Sequence, residues 1–216
     1  MIKKLAGEFI GTFLLLAMIV GSGIMATNIS NDVGVQLMIN VFSIISLLFV
    51  IILIFGPISG AHFNPIVTLT ELFLKRIDAI TALLYIATQF VAATAGVMIA
   101  NYMFKKPLLF SSHHNRDGFA ILIGEVIATA GLLAIIALLR KQEKTGLIPI
   151  AIAAWIGSAC FFTSSTSFAN PAVTFARAWS DTFAGIAPHS VLPFMGAQLI
   201  GAILGLSIAK GVSNER

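Results

Sequence analysis

The stretch TSSTSFANPAVTFAR, residues 163–177, places Asn170-Pro171-Ala172 in the middle of a nearly uncharged chain. It echoes SGAHFNPIVTLTELF, residues 59–73, with Asn64-Pro65-Ile66 at the corresponding place. Asn is a strong N-cap, and Pro suits the first helical position, where its missing N–H has no intrahelical partner to lose. Each tripeptide therefore reads as a helix start. The chain around them is 58% hydrophobic and 10% charged over 216 residues, far below the charge content of about 25% that covers a soluble globule. These helix starts belong inside a membrane protein.

Apolar runs long enough to cross about 30 Å of hydrocarbon fall at 5–27, 34–56, 79–104, 118–139, 146–163 and 190–209. The first follows Met1-Ile2-Lys3-Lys4 and is too long, with no small-residue cleavage pattern, to be a signal peptide; it is expected to be retained. With the N-terminus inside, nine basic residues (Lys3, Lys4, Lys75, Arg76, Arg140, Lys141, Lys144, Lys210, Arg216) face the cytoplasm. Four (Lys105, Lys106, Arg116, Arg177) face outward. This bias supports cytoplasmic termini in a cell membrane. The net charge of +4 is scattered among loops and forms no nucleic-acid-binding patch. The single cysteine, Cys160, excludes an intramolecular disulfide and reads as a small packing residue.

The two Asn-Pro sites belong to an internal repeat. GEFIGTFLLLA (7–17) in the first span matches GEVIATAGLLA (124–134) in the fourth. ATQFVAATAG (87–96) matches GAQLIGAILG (196–205). The order Glu, Asn-Pro, Gln thus occurs twice, as Glu8, Asn64, Gln89 and Glu125, Asn170, Gln198. Each half, about 1–104 and 118–210, carries three spans, so the second enters from the opposite side and the repeat is inverted. The segments 64–74 and 170–180 are too short to span and read as re-entrant half-helices. Irregular backbone at membrane depth survives only when buried in protein or lining a watery cavity, so the turns at 56–60 and 163–166 predict a cavity. Gly7, Gly11, Gly124, Ala128, Gly196, Gly201 and Gly205 are spaced to let crossing helices approach closely, and Trp155 and Trp179 are expected partly at the lipid or interface.

In an inverted pair, the two helix starts meet near the midplane with their positive dipole ends converging. A cation or a hopping proton is repelled there, while the Asn64 and Asn170 amides can donate to a neutral solute. An acid in a membrane helix faces the interior and needs a partner; Glu8 and Glu125 are read as anchors of the re-entrant loops, with proton coupling as the alternative. His62, just before the first half-helix, is likewise read as a loop anchor. No second ligand stands near it for a metal.

These motifs resemble the major intrinsic protein family, the aquaporins and aquaglyceroporins, over nearly the whole chain. The resemblance implies a single aquaporin-like channel domain over 1–216: an all-α membrane protein of six transmembrane helices and two half-helices in an inverted repeat. It also implies a homotetramer with a pore in each subunit and passive conduction without a cofactor. Ile66 replaces the family's usual Ala and is expected to add bulk beneath the constriction. In water-selective relatives, an arginine follows the second Asn-Pro-Ala; here it is Val173. By the family's offsets, the other filter positions are Ile44, Ser158 and Ser167. Such a filter is wider and less polar, favouring glycerol, urea and metalloid hydroxides such as arsenous acid, As(OH)3, and the Val resembles a bacterial arsenical-channel subgroup. Arg177 lies one turn beyond Val173 and is expected to pair with Asp181 at i+4 rather than serve the filter.

Two alternatives stay open: a water-selective channel in which Arg177 acts as a displaced filter cation, and a secondary transporter, which also uses inverted repeats and broken helices. A junction-forming homologue with a closed pore would keep the repeat but carry no flux. No nucleophile and base pair supports an enzyme. The short termini, 1–4 and 210–216, suggest constitutive conduction.

Overall fold

The computed structural model describes residues 1–213; Arg216, counted above among the cytoplasmic cations, lies outside them. Eight α-helices follow one another among the described residues: α1 Ile2–Ile29, α2 Val33–Ser59, α3 Pro65–Phe73, α4 Ala79–Met103, α5 Phe119–Lys141, α6 Ile148–Phe162, α7 Pro171–Arg177 and α8 Pro188–Val212. Six are long and apolar enough to span, with a 3-10 turn at Thr145–Leu147 leading into α6. The two half-helices are α3 and α7. The latter stops three residues short of the expected 170–180, at Arg177.

Polar residues start and stop these apolar helices. Asp32 accepts from Val35 N at 2.9 Å to cap α2, and Asp78 caps α4 through Thr81 N at 2.8 Å. The turn expected at 56–60 begins only at Gly60, because Pro57 sits in the last turn of α2 and is tolerated there. Gly60 closes the helix at φ 90°, with its N–H on Gly56 O at 3.0 Å. A left-handed C-cap of this kind favours glycine.

The halves pack alike. α1 lies along α4 and α5 along α8, while α2 meets α6 across the repeat. Gly96 and Gly205, each seven residues after its half's Gln, make the two tightest crossings of this kind. A Cβ on Gly96 would fall 2.4 Å from Phe13 O, and one on Gly205 would fall 2.3 Å from Ala130 O. Gly11, Gly124 and Gly201 are similarly close to their neighbours, whereas Gly196 faces open space and packs against nothing. Trp155 is turned inward more than expected: its ring covers Gly131, and Nε1 donates to Ala128 O at 2.9 Å. Large apolar side chains such as Phe42, Leu83, Val91 and Leu192 are left on the outside, where lipid is the solvent.

The re-entrant loops are held by the two buried carboxylates. Glu8 Oε1 accepts from Ser59 Oγ at 2.7 Å and His62 N at 2.9 Å. Its Oε2 accepts from Phe63 N at 2.7 Å and Gln89 Nε2 at 2.8 Å. Glu125 repeats the arrangement with Phe168 N at 2.8 Å, Ala169 N at 2.9 Å and Gln198 Nε2 at 2.7 Å. Each Gln also donates to a half-helix threonine, Gln89 to Thr68 at 3.0 Å and Gln198 to Thr174 at 2.8 Å. Every member of the repeated Glu and Gln sets is fully buried, so these bonds replace water that the bilayer interior does not offer.

Three substitutions test this packing and its anchors. Gly205→Ala drives a Cβ into a backbone carbonyl and should lower the apparent melting temperature in detergent, as overpacking costs about 1–3 kcal/mol. Gly211→Ala, with nothing within 4 Å, should leave it unchanged or slightly raised. Glu8→Gln sets an NH2 donor against other donors and should be more damaging, since bonds to a charged group are worth about 1.5–3 kcal/mol each. A Glu8→Gln protein as stable as wild type by thermal unfolding contradicts the anchoring role.

Candidate functional site

The carboxylates hold backbone that an L-residue adopts reluctantly. Ala61 and Phe63 before Asn64 have φ of 49° and 49°, and Ser167 and Ala169 before Asn170 have 52° and 48°. The same two offsets are left-handed in both halves, at a cost of roughly 1–2 kcal/mol per residue. The conformation presents the carbonyls of Phe63 and Ala169 to the opposite loop. Asn64 Nδ2 donates to Ala169 O at 2.8 Å, and Asn170 Nδ2 donates to Phe63 O at 2.8 Å.

Each Asn also caps its own half-helix. Asn64 Oδ1 accepts from Ile66 N at 2.9 Å, and Asn170 Oδ1 from Ala172 N at 3.0 Å and Val173 N at 3.3 Å. Pro65 and Pro171 occupy the first helical positions. A carboxamide carries two N–H donors, so one N–H of each Asn remains after the cross-loop bond. Both side chains border the central cavity, into which a donor of this kind can be offered.

That cavity is about 670 Å³ and runs beside both loops. Ile44, Leu48, Ile52, Leu132, Ile152 and Ile156 give it aliphatic walls, interrupted by the loop backbone and the two Asn. Of the predicted filter positions, Ile44, Ser167 and Val173 line it. Ser167 Oγ is buried without a hydrogen-bond partner, and Val173 is 3% exposed. Ser158 does not line it. The cavity-facing positions of α6 are Ile148, Pro149, Ile152, Ile156 and Cys160; Ser158, two residues from Ile156 and from Cys160, is turned about 200° from each and is exposed on the outer face. Cys160 takes that place, with its Sγ donating to Thr166 O at 3.3 Å.

Other assignments also shift. Ile66 and Ala172 are buried but absent from the cavity wall, so the bulk of Ile66 enters the bundle rather than the lumen. His62 lines the cavity, with Nδ1 at 3.0 Å from Thr68 Oγ1 and its ring edge-on to Tyr85. It is tied to the loop through this contact and through its own N–H on Glu8.

Arg177 does not pair with Asp181. α7 ends at Arg177 and the chain turns, so i+4 is no longer the same helix face. Asp181 instead accepts from His113 N and faces His113 Nδ1, both at 2.9 Å. Those bonds hold its carboxyl below the usual carboxylate range. Arg177 is 6% exposed, lines the cavity, donates from Nε to Ala184 O and lies over Phe168, with Cζ 3.4 Å from the ring centroid.

Sequence reasoning missed Arg116. It reaches in from the α4–α5 connection, donating from Nε to Gly185 O at 3.0 Å and from Nη1 to Thr166 Oγ1 at 3.2 Å and Ser165 O at 3.4 Å. Its Cζ is 4.9 Å from the same Phe168 ring, and it lines the same cavity. At the other end, Arg140 borders the cavity but is paired with buried Glu71 at 2.6 Å, which also takes Arg76 at 3.1 Å.

The family profile described as "Major intrinsic protein" matches residues 1–169. The chain is 38% identical over 209 residues to Aquaglyceroporin AqpS of Rhizobium meliloti, covering 96% of this chain and 89% of that one. It is 28% identical to Aquaporin TIP2-1 of Arabidopsis thaliana, covering 94% and 86%. Among solved structures, the aquaglyceroporin from Plasmodium falciparum superposes with a TM-score of 0.70 over 98% of this chain and 97% of that one, at 17% identity, a likeness of fold. With six spans, two half-helices and paired Asn caps of the same plan, the chain belongs to the major intrinsic protein family.

Proposed function

We propose that the chain is a passive channel in the cell membrane for small uncharged solutes of glycerol size, with metalloid hydroxides such as arsenous acid among them. The observation that carries the reading is Val173: a small aliphatic side chain lines the cavity at the place after Asn170-Pro171-Ala172. Ile44, Ser167 and Cys160 line the same cavity, and none of these four side chains carries a ring, an imidazole or a guanidinium. A solute larger than water meets less bulk at that level and finds hydrogen-bond partners in Ser167 Oγ and the Asn amides. The naming of AqpS as an aquaglyceroporin supports the same class.

The converging starts of α3 and α7 add a positive potential at the cross-linked Asn pair, which opposes cations and protons while leaving neutral solutes free. The basic residues near Lys3, Lys75, Arg140 and Lys210 favour cytoplasmic chain ends. The inverted repeat forms a single channel domain with its own pore, and the homotetramer is the assembly that the family resemblance implies. No cofactor is required for any step.

A second reading, a water-selective channel with a displaced cation, draws on the presence of Arg116 and Arg177 in the cavity wall. The two readings part at residue 173. Stopped-flow light scattering on proteoliposomes should show that Val173→Arg lowers glycerol permeability by about tenfold or more, equivalent to about 1.4 kcal/mol in the barrier, while retaining water flux. Glycerol permeability unchanged by Val173→Arg overturns the widened-filter reading.

A further inference from the structure

The two mouths of the cavity differ in charge compensation. Six crossings bring the start of α1 and the end of α8 to one side, where Arg140 and Arg76 share an ion pair with Glu71. On the opposite side stand Arg116 and Arg177, and neither is among the ion pairs formed by the described residues. No acid among the described residues forms an ion pair with either guanidinium, and Glu125 sets one negative charge against the two positive ones. Asp181 serves His113 and Ser112, Asp117 serves Ser190 and His189, and Glu125 serves the backbone of Phe168 and Ala169. His114, which also borders this mouth, supplies no negative charge.

Both guanidiniums are fixed in place without being used up. Arg177 spends one of its five N–H donors on Ala184 O and Arg116 spends Nε and Nη1 on three oxygens, leaving Nη1 and Nη2 of the first and Nη2 of the second without a protein acceptor. Both pack against Phe168, and both line the lumen. Two like charges held this close, one of them almost wholly buried, are costly unless an acceptor-rich partner enters. A planar carboxylate matches the guanidinium fork, with charge-assisted bonds about twice as strong as neutral ones.

We propose that this mouth, between Arg116 and Arg177 over Phe168, is a binding site for one small monovalent oxyanion of the carboxylate class. Below it, the aliphatic walls of the cavity penalise a charge by desolvation, so the bound anion stays at the mouth and obstructs neutral solutes. The obstruction, though not the binding, rests on the channel reading given above.

The test titrates 13C-formate against the full chain in nanodiscs at neutral pH and constant ionic strength, with chloride as the counter-anion, reading line broadening of the formate resonance. Wild type should bind saturably; Arg116→Gln and Arg177→Lys should each weaken binding by about tenfold, as loss of a bidentate charged contact does. Lys105→Gln, an exposed cation of the same connection, should bind formate as wild type does. Arg177→Lys keeps the charge and guards against a folding failure, and Arg116→Gln provides the independent second variant. Formate on the side opposite the chain ends should also slow glycerol flux through wild type, relative to equimolar chloride. No saturable broadening in wild type, or equal broadening in Arg116→Gln, overturns the site even where glycerol passes freely. Saturable formate binding in a protein that passes no glycerol overturns the channel reading instead and leaves the site standing.

Discussion

Two buried carboxylates carry the architecture. A membrane interior offers no water to satisfy backbone groups, yet the chain dips into it twice as irregular loop, with left-handed residues at Ala61, Phe63, Ser167 and Ala169. Glu8 and Glu125 make this possible by accepting the N–H groups that such loops leave free, while Gln89 and Gln198 hold the carboxylates and reach the half-helices through Thr68 and Thr174. Because the loops are fixed, the carbonyls of Phe63 and Ala169 can meet the opposing Asn side chains. The midplane is therefore a rigid cross-link between the two halves, and its polarity is built in before a solute arrives.

Selectivity follows from what surrounds that cross-link. The aliphatic wall penalises charge by desolvation and offers few competing polar contacts, so in the proposed reading a neutral solute exchanges water for the Asn amides, Ser167 and loop carbonyls. Removing an arginine at 173 does not remove positive charge from the pore, because Arg177 and Arg116 stand nearer the mouth. That charge is pinned by Ala184, Gly185 and Phe168. In the proposed reading, width and electrostatics are separated: Val173 sets one and the arginine pair the other.

Much of this was legible in the sequence because it is local or repeated. The six spans follow from apolar length, the half-helices from Asn-Pro, and the anchors from acids that have no place facing lipid. What escaped depends on turns. Ser158 was placed by counting back from Asn170, but rotation about α6 puts Cys160 at the wall instead. The Arg177–Asp181 pairing assumed a helix that continues, and α7 ends at Arg177. Arg116 lies in a connection without periodicity, so no spacing in the sequence links it to Phe168, 52 residues later.

The conduction proposed here is uncoupled: neutral solutes cross down their gradient while protons do not. It is tested most directly by stopped-flow light scattering of proteoliposomes in a glycerol gradient, with a pH-sensitive dye trapped inside. An uncoupled pore gives glycerol permeability above that of empty liposomes, flux proportional to the gradient, and no accompanying change in internal pH. Flux that saturates with glycerol, or that moves protons with it, would contradict a fixed cross-linked pore and point to a transporter.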